Sequence, residues 1–461
     1  MSSEYSNDLK CREIEPVYYS ENNRAEWRLP PNRLYTNTMS VMNLAITKSA
    51  GASVLNKLVG VYGSIDRIAL MDGNVELQSL TRANEWLGIK QQLHSNRYNE
   101  NIGGNYVGNR KAVRIGLRDV TQDQVPLTGA AEDAAVKRAG GNGRKIIEGG
   151  ERDGMGATGT TNNGTFKGQL DVSEALNLLQ SIPYVDTSVF KNLKLVIEFN
   201  VSMTNVIGTV QNTGVLAQQR PYLVVEEIVA PDILAGSLGK TPPAISYNVI
   251  ESDVFTVPAF STANGNLPTN AVKNPVQDLT FHVSSFNNKK VNRILMATRC
   301  FTTGMAQEGT GDVAYGNYNS HAMLRQKNQV RLNGRNIFPR NGIERDMQRL
   351  ALMADVWGGS AGIAPFYAGL APKANAGNPR QDILDQGNEV IGTQDYFGCT
   401  LAGAKVEDLQ IDYGRTGSAN DDGAAQTTAS KYNADLSLHI FAEVKKAVVF
   451  GKNGQYNVVY Q

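Results

Sequence analysis

An all-β fold is what the sequence predicts, on three observations. The clearest hydrophobic patterns have period two, the spacing that sets alternate side chains on one face of a strand. Asx-Gly dipeptides, which tight hairpins favour because both residues tolerate positive φ, separate strand-like runs at Asp72-Gly73, Asn333-Gly334 and Asn453-Gly454. Composition agrees: 45 glycines in 461 residues, asparagine almost as common and only 19% charged residues suit many turns and long loops, not a helical bundle.

The elements can be justified in chain order. Residues 1–26 are rich in acids and lack a pattern, and are expected to form an irregular arm that reaches a neighbour. Ile65–Met71 and Val75–Leu80 flank Asp72-Gly73 as a hairpin, and a helix over about Asn84–Leu93 follows with Trp86, Ile89 and Leu93 on one side. Asp171 is an N-cap candidate with Glu174 three residues on, opening a helix through Ala175, Leu176 and Leu179. Leu193–Phe199 sets Leu193, Leu195, Ile197 and Phe199 opposite Lys194 and Glu198, the pattern of a half-buried strand. Tyr222–Val225 and Val448–Phe450 are unbroken apolar runs, as in strands covered on both sides. Leu279–Val283 and Leu436–Ile440 alternate, with His282 and His439 on their polar faces as expected surface or loop-covered histidines. Gln329–Leu332 and Asn336–Phe338 flank Asn333-Gly334, and apolar spacing predicts a buried helix over Ile343–Trp357, ended by Gly358-Gly359.

A hairpin followed by a tryptophan-bearing helix thus occurs once in each half, which points to a duplicated β domain. The polar segment Gln211–Pro221 is the natural joint. The expected division is an arm at 1–26, a first domain at 27–213 and a second at 221–461. Leu127–Gly164, Pro372–Gly392 and Gly414–Ser430, dense in small and polar residues, read as surface excursions.

Charge excludes some functions. Lys and Arg total 45 against 44 Asp and Glu, so no global field steers nucleic acid or anionic lipid. Cys11, Cys300 and Cys399 are distant and odd in number, which implies no disulfide framework and favours a reducing compartment. No secretory leader pattern and no apolar run of membrane-spanning length is present.

Candidate chemistry mostly dissolves on inspection. Gly154–Gly159 matches the dinucleotide glycine pattern but lacks the preceding strand and following helix that would fix a pyrophosphate. Ala235–Thr241 ends like a phosphate-binding loop, yet Leu234 replaces the first glycine and Pro242-Pro243 stands where the helix should start. His94, His282, His321 and His439 share no ligand spacing with one another or with cysteine, so no metal site is expected. Glu226 and Glu227 are adjacent on a strand and point to opposite faces, which denies them a shared cleft. No nucleophile elbow occurs. Catalytic, cofactor-binding and metal residues are therefore expected to be none, and the chain is not expected to be an enzyme. The basic series Arg325, Lys327, Arg331, Arg335, Arg340, Arg345 and Arg349 has only Phe338 as an interleaved aromatic, so structural or inter-subunit ion pairing outweighs nucleic-acid binding.

Several segments, taken together and in order, resemble the double jelly-roll major capsid proteins of double-stranded DNA viruses, the group spanning virophages, polinton-like viruses and nucleocytoplasmic large DNA viruses. They are Leu29-Pro-Pro-Asn-Arg-Leu34, Phe166–Val172 with its helix, and Phe190–Phe199, which looks like the close of a first jelly roll. Arg325–Arg335 with the Trp357 helix, and Phe441–Val444 with Asn453–Tyr460, continue the series to the terminus. The resemblance implies two eight-stranded jelly-roll sandwiches in tandem with a few short helices. It also implies homotrimers whose six sandwiches imitate a hexagonal block, tiling an icosahedral virion shell assembled inside a host cell. Implied partners are further copies of the chain, penton and minor capsid proteins and an inner membrane, without cofactors or direct nucleic-acid contact. The competing expectation is a carbohydrate-binding or carbohydrate-active β-sandwich, motivated by the strands and the abundant Asn and Tyr. A shell protein built on a long spine helix is disfavoured, since no predicted helix exceeds about 15 residues.

Overall fold

The computed structural model describes residues 8–21, 23–48, 60–93, 164–199, 216–218, 220–260, 276–299, 325–339, 342–343, 348, 351–352, 354–358, 396–416, 436–451 and 455–461. The Gly154–Gly159 pattern, His94, His321, Cys300, Arg340, Arg345, Arg349, residues 127–163 and 372–392 lie outside the described residues.

Two sandwiches stand in series, each made of two antiparallel sheets. In the first, β1 (Leu9–Ile14), β11 (Tyr222–Ile228) and β4 (Leu34–Lys48) lie side by side, with β7 (Gly164–Asp171), β8 (Tyr184–Asp186) and β10 (Leu216–Gln218) also paired to β4. Facing it is the sheet β2 (Tyr18–Ser20), β3 (Arg24–Arg28), β9 (Leu193–Phe199), β5 (Ile65–Asp72) and β6 (Val75–Thr81). The second sandwich repeats this plan. Its sheets run β12 (Ala244–Val257), β19 (Leu436–Phe450), β14 (Lys290–Arg299), β17 (Phe397–Lys405), and β13 (Val276–His282), β18 (Leu409–Thr416), β15 (Arg325–Leu332), β16 (Arg335–Asn336). Strand β20 (Tyr456–Tyr460) pairs antiparallel with the end of β19.

Laying one order on the other matches eight strands to eight: β1, β3, β4, β5, β6, β7, β9 and β11 correspond to β12 through β19 in sequence. That is the jelly-roll connectivity, in which the last strand returns to pair with the first. Strands β2, β8, β10 and β20 are short additions. Helices are few: α1 (Ala83–Leu93), α2 (Val172–Ala175), α3 (Asn177–Ser181), α4 (Pro231–Ser237) and a π-helical turn at Ala354–Gly358.

Local chemistry explains most elements. Leu193, Leu195, Ile197 and Phe199 are buried while Lys194 and Glu198 are half-buried, as alternation demands. Two of the three expected hairpin turns form, with Gly73 at φ +58° and Gly334 at φ +76°, values that suit a residue without a Cβ, while Asn453-Gly454 lies outside the described residues. The Asp171 carboxylate caps α2 by accepting from the Ser173 amide at 2.9 Å. The expected helix beyond it breaks at Leu176, whose extended backbone divides α2 from α3.

Four expectations need correction. Residues 1–26 are not an irregular arm: they hold β1, β2 and the start of β3. Strand β1 is polar in sequence but pairs along its whole length with β11, from Leu9 opposite Ile228 to Ile14 opposite Leu223. The joint is not at 211–221, because β10 and β11 both belong to the first sandwich; the chain crosses over residues 229–243 through α4. The helix expected from Ile343 starts later, since Ile343 forms a bridge with Asn328. Gly414–Thr416, expected in a loop, complete β18.

The core runs through both sandwiches as one connected set of apolar side chains. It extends from Trp27, Tyr35 and Leu195 in the first to Phe286, Phe397 and Ile440 in the second. A small satellite of Leu34, Ile228 and Ala230 sits under Leu234 and Leu238 of the connecting helix.

Candidate functional site: the joint between the sandwiches

The joint brings together an edge strand from each sandwich. Strand β6 is the outer strand of its sheet and β12 of its own, and the two lie alongside each other. The Tyr247 hydroxyl donates to the Leu77 carbonyl, and the Thr81 and Ser252 hydroxyls meet at 3.3 Å. Burial raises the Tyr247 phenol above its ordinary value, with the Glu76 charge adding to the shift. Both strands are consequently covered here: Leu77, Gln78 and Leu80 on one side, Tyr247, Val249 and Ile250 on the other.

Next to the paired edges, α1 lies over the outer face of β19. The two predicted tryptophans meet there, Trp86 and Trp357 edge to face with ring centroids 5.3 Å apart. Phe441 lies 5.5 Å from Trp86. The Arg293 guanidinium covers the Trp357 ring at 4.1 Å, and its Nη1 donates to the Val356 carbonyl at 2.6 Å. Arg293 Nε also pairs with Glu443, which accepts from Asn248 at 2.7 Å and Asn292 at 3.1 Å. The Trp357 indole donates to the Ile294 carbonyl at 2.9 Å.

His439 is the principal surprise. Expected near solvent, it is 1% exposed, and its Nδ1 lies 2.6 Å from Glu85 Oε2 across the joint. Arg82 stands 3.5 Å from the other oxygen of Glu85. Alternation placed His439 correctly on the outer face of its strand; it could not report that a second sandwich covers that face. A further anchor joins the rim: Tyr456 donates to Asp72 at 2.7 Å, and Phe190 packs 5.3 Å from the Tyr456 ring.

Elsewhere the candidate residues are engaged structurally. Glu227 is held between Arg12 and Arg33; burial alone would raise its carboxyl, but the two guanidinium hydrogen bonds outweigh that and lower it. Glu226 accepts from the Thr36 hydroxyl at 3.1 Å, so the adjacent carboxylates have separate partners. In the loop-like Ala235–Thr241 stretch, α4 precedes the turn and the Gly239 amide donates to Asp186 at 2.6 Å, so a carboxylate occupies that amide. His282 is exposed, 4.0 Å from Asp408. Among the described residues no cluster of His, Cys, Asp and Glu could hold a metal ion.

Of the basic series, Lys327 and Arg331 share one face of β15 with Asn336 of β16, whereas Arg335, opposite Leu332, lies on the other. Arg331 pairs with Asp412, which also accepts from Thr280 at 2.8 Å, beside a groove of about 240 Å³ lined by Asp278, Lys327 and Gln329. Arg335 is exposed at the sheet edge.

Structural comparison places this architecture. The chain is similar to the mavirus major capsid protein, with a TM-score of 0.54 and 10% identity over 98% of this chain and 90% of that one. A chain in the structure of the Sputnik virophage matches at a TM-score of 0.57 and 10% identity, covering 98% and 88%. VP54 of the virus PBCV-1, fitted into a Sputnik reconstruction, matches at 0.54 and 10% over 98% and 97%. No family model and no curated protein matches the sequence. At this identity the likeness is one of fold: a tandem pair of jelly rolls along nearly the whole chain.

Proposed function

We propose that this chain is a structural capsid protein, a shell subunit that assembles with copies of itself into homotrimeric, pseudo-hexagonal blocks. The supporting observation is the joint: two sandwiches of one strand order are fixed edge to edge by Trp86, Trp357, Glu85 and His439, so each chain supplies two like units. Three such chains around a threefold axis offer six similar flanks, which hexagonal packing of an icosahedral shell requires. The likeness of fold to virus capsid proteins supports the same reading. Its place would be the virion, assembled in the interior of a host cell, and its further partners penton and minor capsid proteins and an underlying membrane. The unit boundaries that suit this role are 9–228 and 244–460, joined by 229–243.

The role needs no cofactor and no catalytic residue. A carbohydrate-active sandwich would need a cleft with paired carboxylates, and the adjacent Glu226 and Glu227 are divided between Thr36 and two arginines. Light scattering coupled to chromatography, with negative-stain microscopy of the purified protein, tests the proposal. Trimers with a six-sided outline, or closed shells, are expected; a protein that stays monomeric at high concentration overturns it.

A further inference from the structure

The turn that carries the chain from one sheet to the other is closed alike in both sandwiches. Between β3 and β4 the Leu29 amide donates to the Leu193 carbonyl at 2.9 Å, and the Asn32 amide donates to Thr187 at 3.3 Å, with Asn32 at φ +58°. Between β13 and β14 the Val283 amide donates to Leu409 at 2.8 Å, and the Asn288 amide donates to Val406 at 2.7 Å, with Asn288 at φ +63°. Leu193 and Leu409 open the equivalent strands β9 and β18. Residues on either side of the turn can therefore be matched one to one: Trp27 answers to Phe281, and Tyr35 to Val291. On the neighbouring strand, Tyr35 lies opposite Glu227 and Val291 opposite Val444. The same end of the sandwich is thus Trp, Tyr and Glu in the first copy and Phe, Val and Val in the second.

The polar atoms of the first copy are not satisfied by protein. Trp27 and Tyr35 are both 0% exposed, yet among the described residues neither the indole N–H nor the phenol O–H has a hydrogen-bond partner. Elsewhere the chain pairs such groups when it buries them: Trp357 donates to the Ile294 carbonyl at 2.9 Å, and Tyr247 donates to Leu77. A desolvated donor left bare destabilises a fold by more than a made hydrogen bond stabilises it, so two at one end of one core call for an acceptor. Charged groups stand close by. Burial pushes the Tyr35 phenol up to about 12, Glu227 adds to the shift, and Arg33 and Arg12 oppose it, so the hydroxyl keeps its proton. The Glu227 carboxylate is held by those two arginines, and its two oxygens have lone pairs to spare for a further donor.

We infer that the first sandwich is internally hydrated where the second is dry: ordered water accepts from Trp27 Nε1 and from Tyr35 Oη, and at Tyr35 it donates in turn to the Glu227 carboxylate. Water suits the site because it both accepts and donates, and polar partners of this kind are what hold a buried molecule. An anion would satisfy the two donors but would meet the Glu227 charge. Through the water, Tyr35 becomes a positioning residue for the Arg12–Glu227–Arg33 clip that fastens β1 to the sandwich. The inference concerns the first sandwich alone and goes beyond the shell-subunit reading, so neither stands or falls with the other.

Tyr35→Phe tests it by the sign of its effect, since the change deletes one hydroxyl from a buried ring. With water bound, a made hydrogen bond is lost, and the unfolding equilibrium constant from urea titration is expected to rise about fivefold. A bare donor would give the opposite result; an unchanged or lowered constant overturns the inference. A high-resolution density map of the wild-type chain provides a readout that needs no variant. Water peaks about 2.7–3.2 Å from Trp27 Nε1 and from Tyr35 Oη are expected, with none beside Phe281 or Val291. A protein acceptor at both atoms, the absence of any peak, or an anomalous signal there after bromide soaking, which would mark an anion, each overturns it.

Discussion

The two sandwiches share a strand order but not strand lengths, and the difference is concentrated where they meet. In the first, β1 pairs with β11 over six residues; in the second, β12 pairs with β19 over fourteen, from Ala244 opposite Val449 to Val257 opposite Leu436. Strand β12 lies against α3 and β6, with Tyr247, Val249 and Ile250 buried, and β20 pairs with the end of β19. Strand β1 leaves Leu9, Lys10, Cys11 and Glu13 exposed. Identical topology therefore does not imply identical energetics: the same position is core in one sandwich and surface in the other.

Substitutions in the covered joint and on the half-covered strand β11 can break this contrast. The largest effect is expected for Trp86→Ala, which removes the ring that contacts both Trp357 and Phe441 and should cost about 3–5 kcal/mol. Tyr222→Ala, on the half-covered face, should cost no more than about 1 kcal/mol in the dissociated chain. Urea unfolding of both variants measures the gap; equal losses would erase the distinction. Glu85→Ala comes next, leaving His439 buried without its carboxylate, for a loss of about 3 kcal/mol against about 1 kcal/mol or less for Glu226→Ala, which gives up one hydroxyl contact.

A smaller effect sharpens what the two halves have in common. Gly73→Ala and Gly334→Ala sit in corresponding hairpins at positive φ, and nothing within 4 Å would meet the new methyl at either position. Both should lose about 1 kcal/mol, through backbone strain alone. The smallest is local and depends on pH. The Glu227 carboxyl is lowered in the folded protein, so the stability it lends β1 is complete above the ordinary glutamate value and disappears as pH falls through the lowered one. Protection from hydrogen exchange over residues 9–14, corrected for the intrinsic rate, should fall in acid, while β12 stays protected. Glu227→Gln should exchange fast already at neutral pH.

Local rules made much of this fold legible and failed at contacts distant in sequence. The hairpins at Asp72-Gly73 and Asn333-Gly334, the strand Leu193–Phe199 and the Asp171 cap each follow from a few adjacent residues. Both tryptophans stand out in sequence as landmarks of a repeat, but their meeting joins two units distant in sequence, which no local pattern encodes. Strand β1 escaped notice because Leu9–Ile14 alternates poorly; its partner β11 lies at the far end of the first sandwich. The same blindness misplaced the joint, since a strand that closes a sandwich looks, in sequence, like the start of whatever follows.

The pairing of Leu9 with Ile228 also sets a schedule for synthesis. A ribosome releases the opening strand long before its mate exists, and at about 5–20 residues per second the wait is on the order of ten to forty seconds. Throughout that interval β4 lacks the neighbour that β11 will provide, and a nascent chain on the same messenger could donate one instead. Slow decoding ahead of residue 228 should therefore favour entangled products, and holdase chaperones should bind the emerging first half more tightly than the finished one.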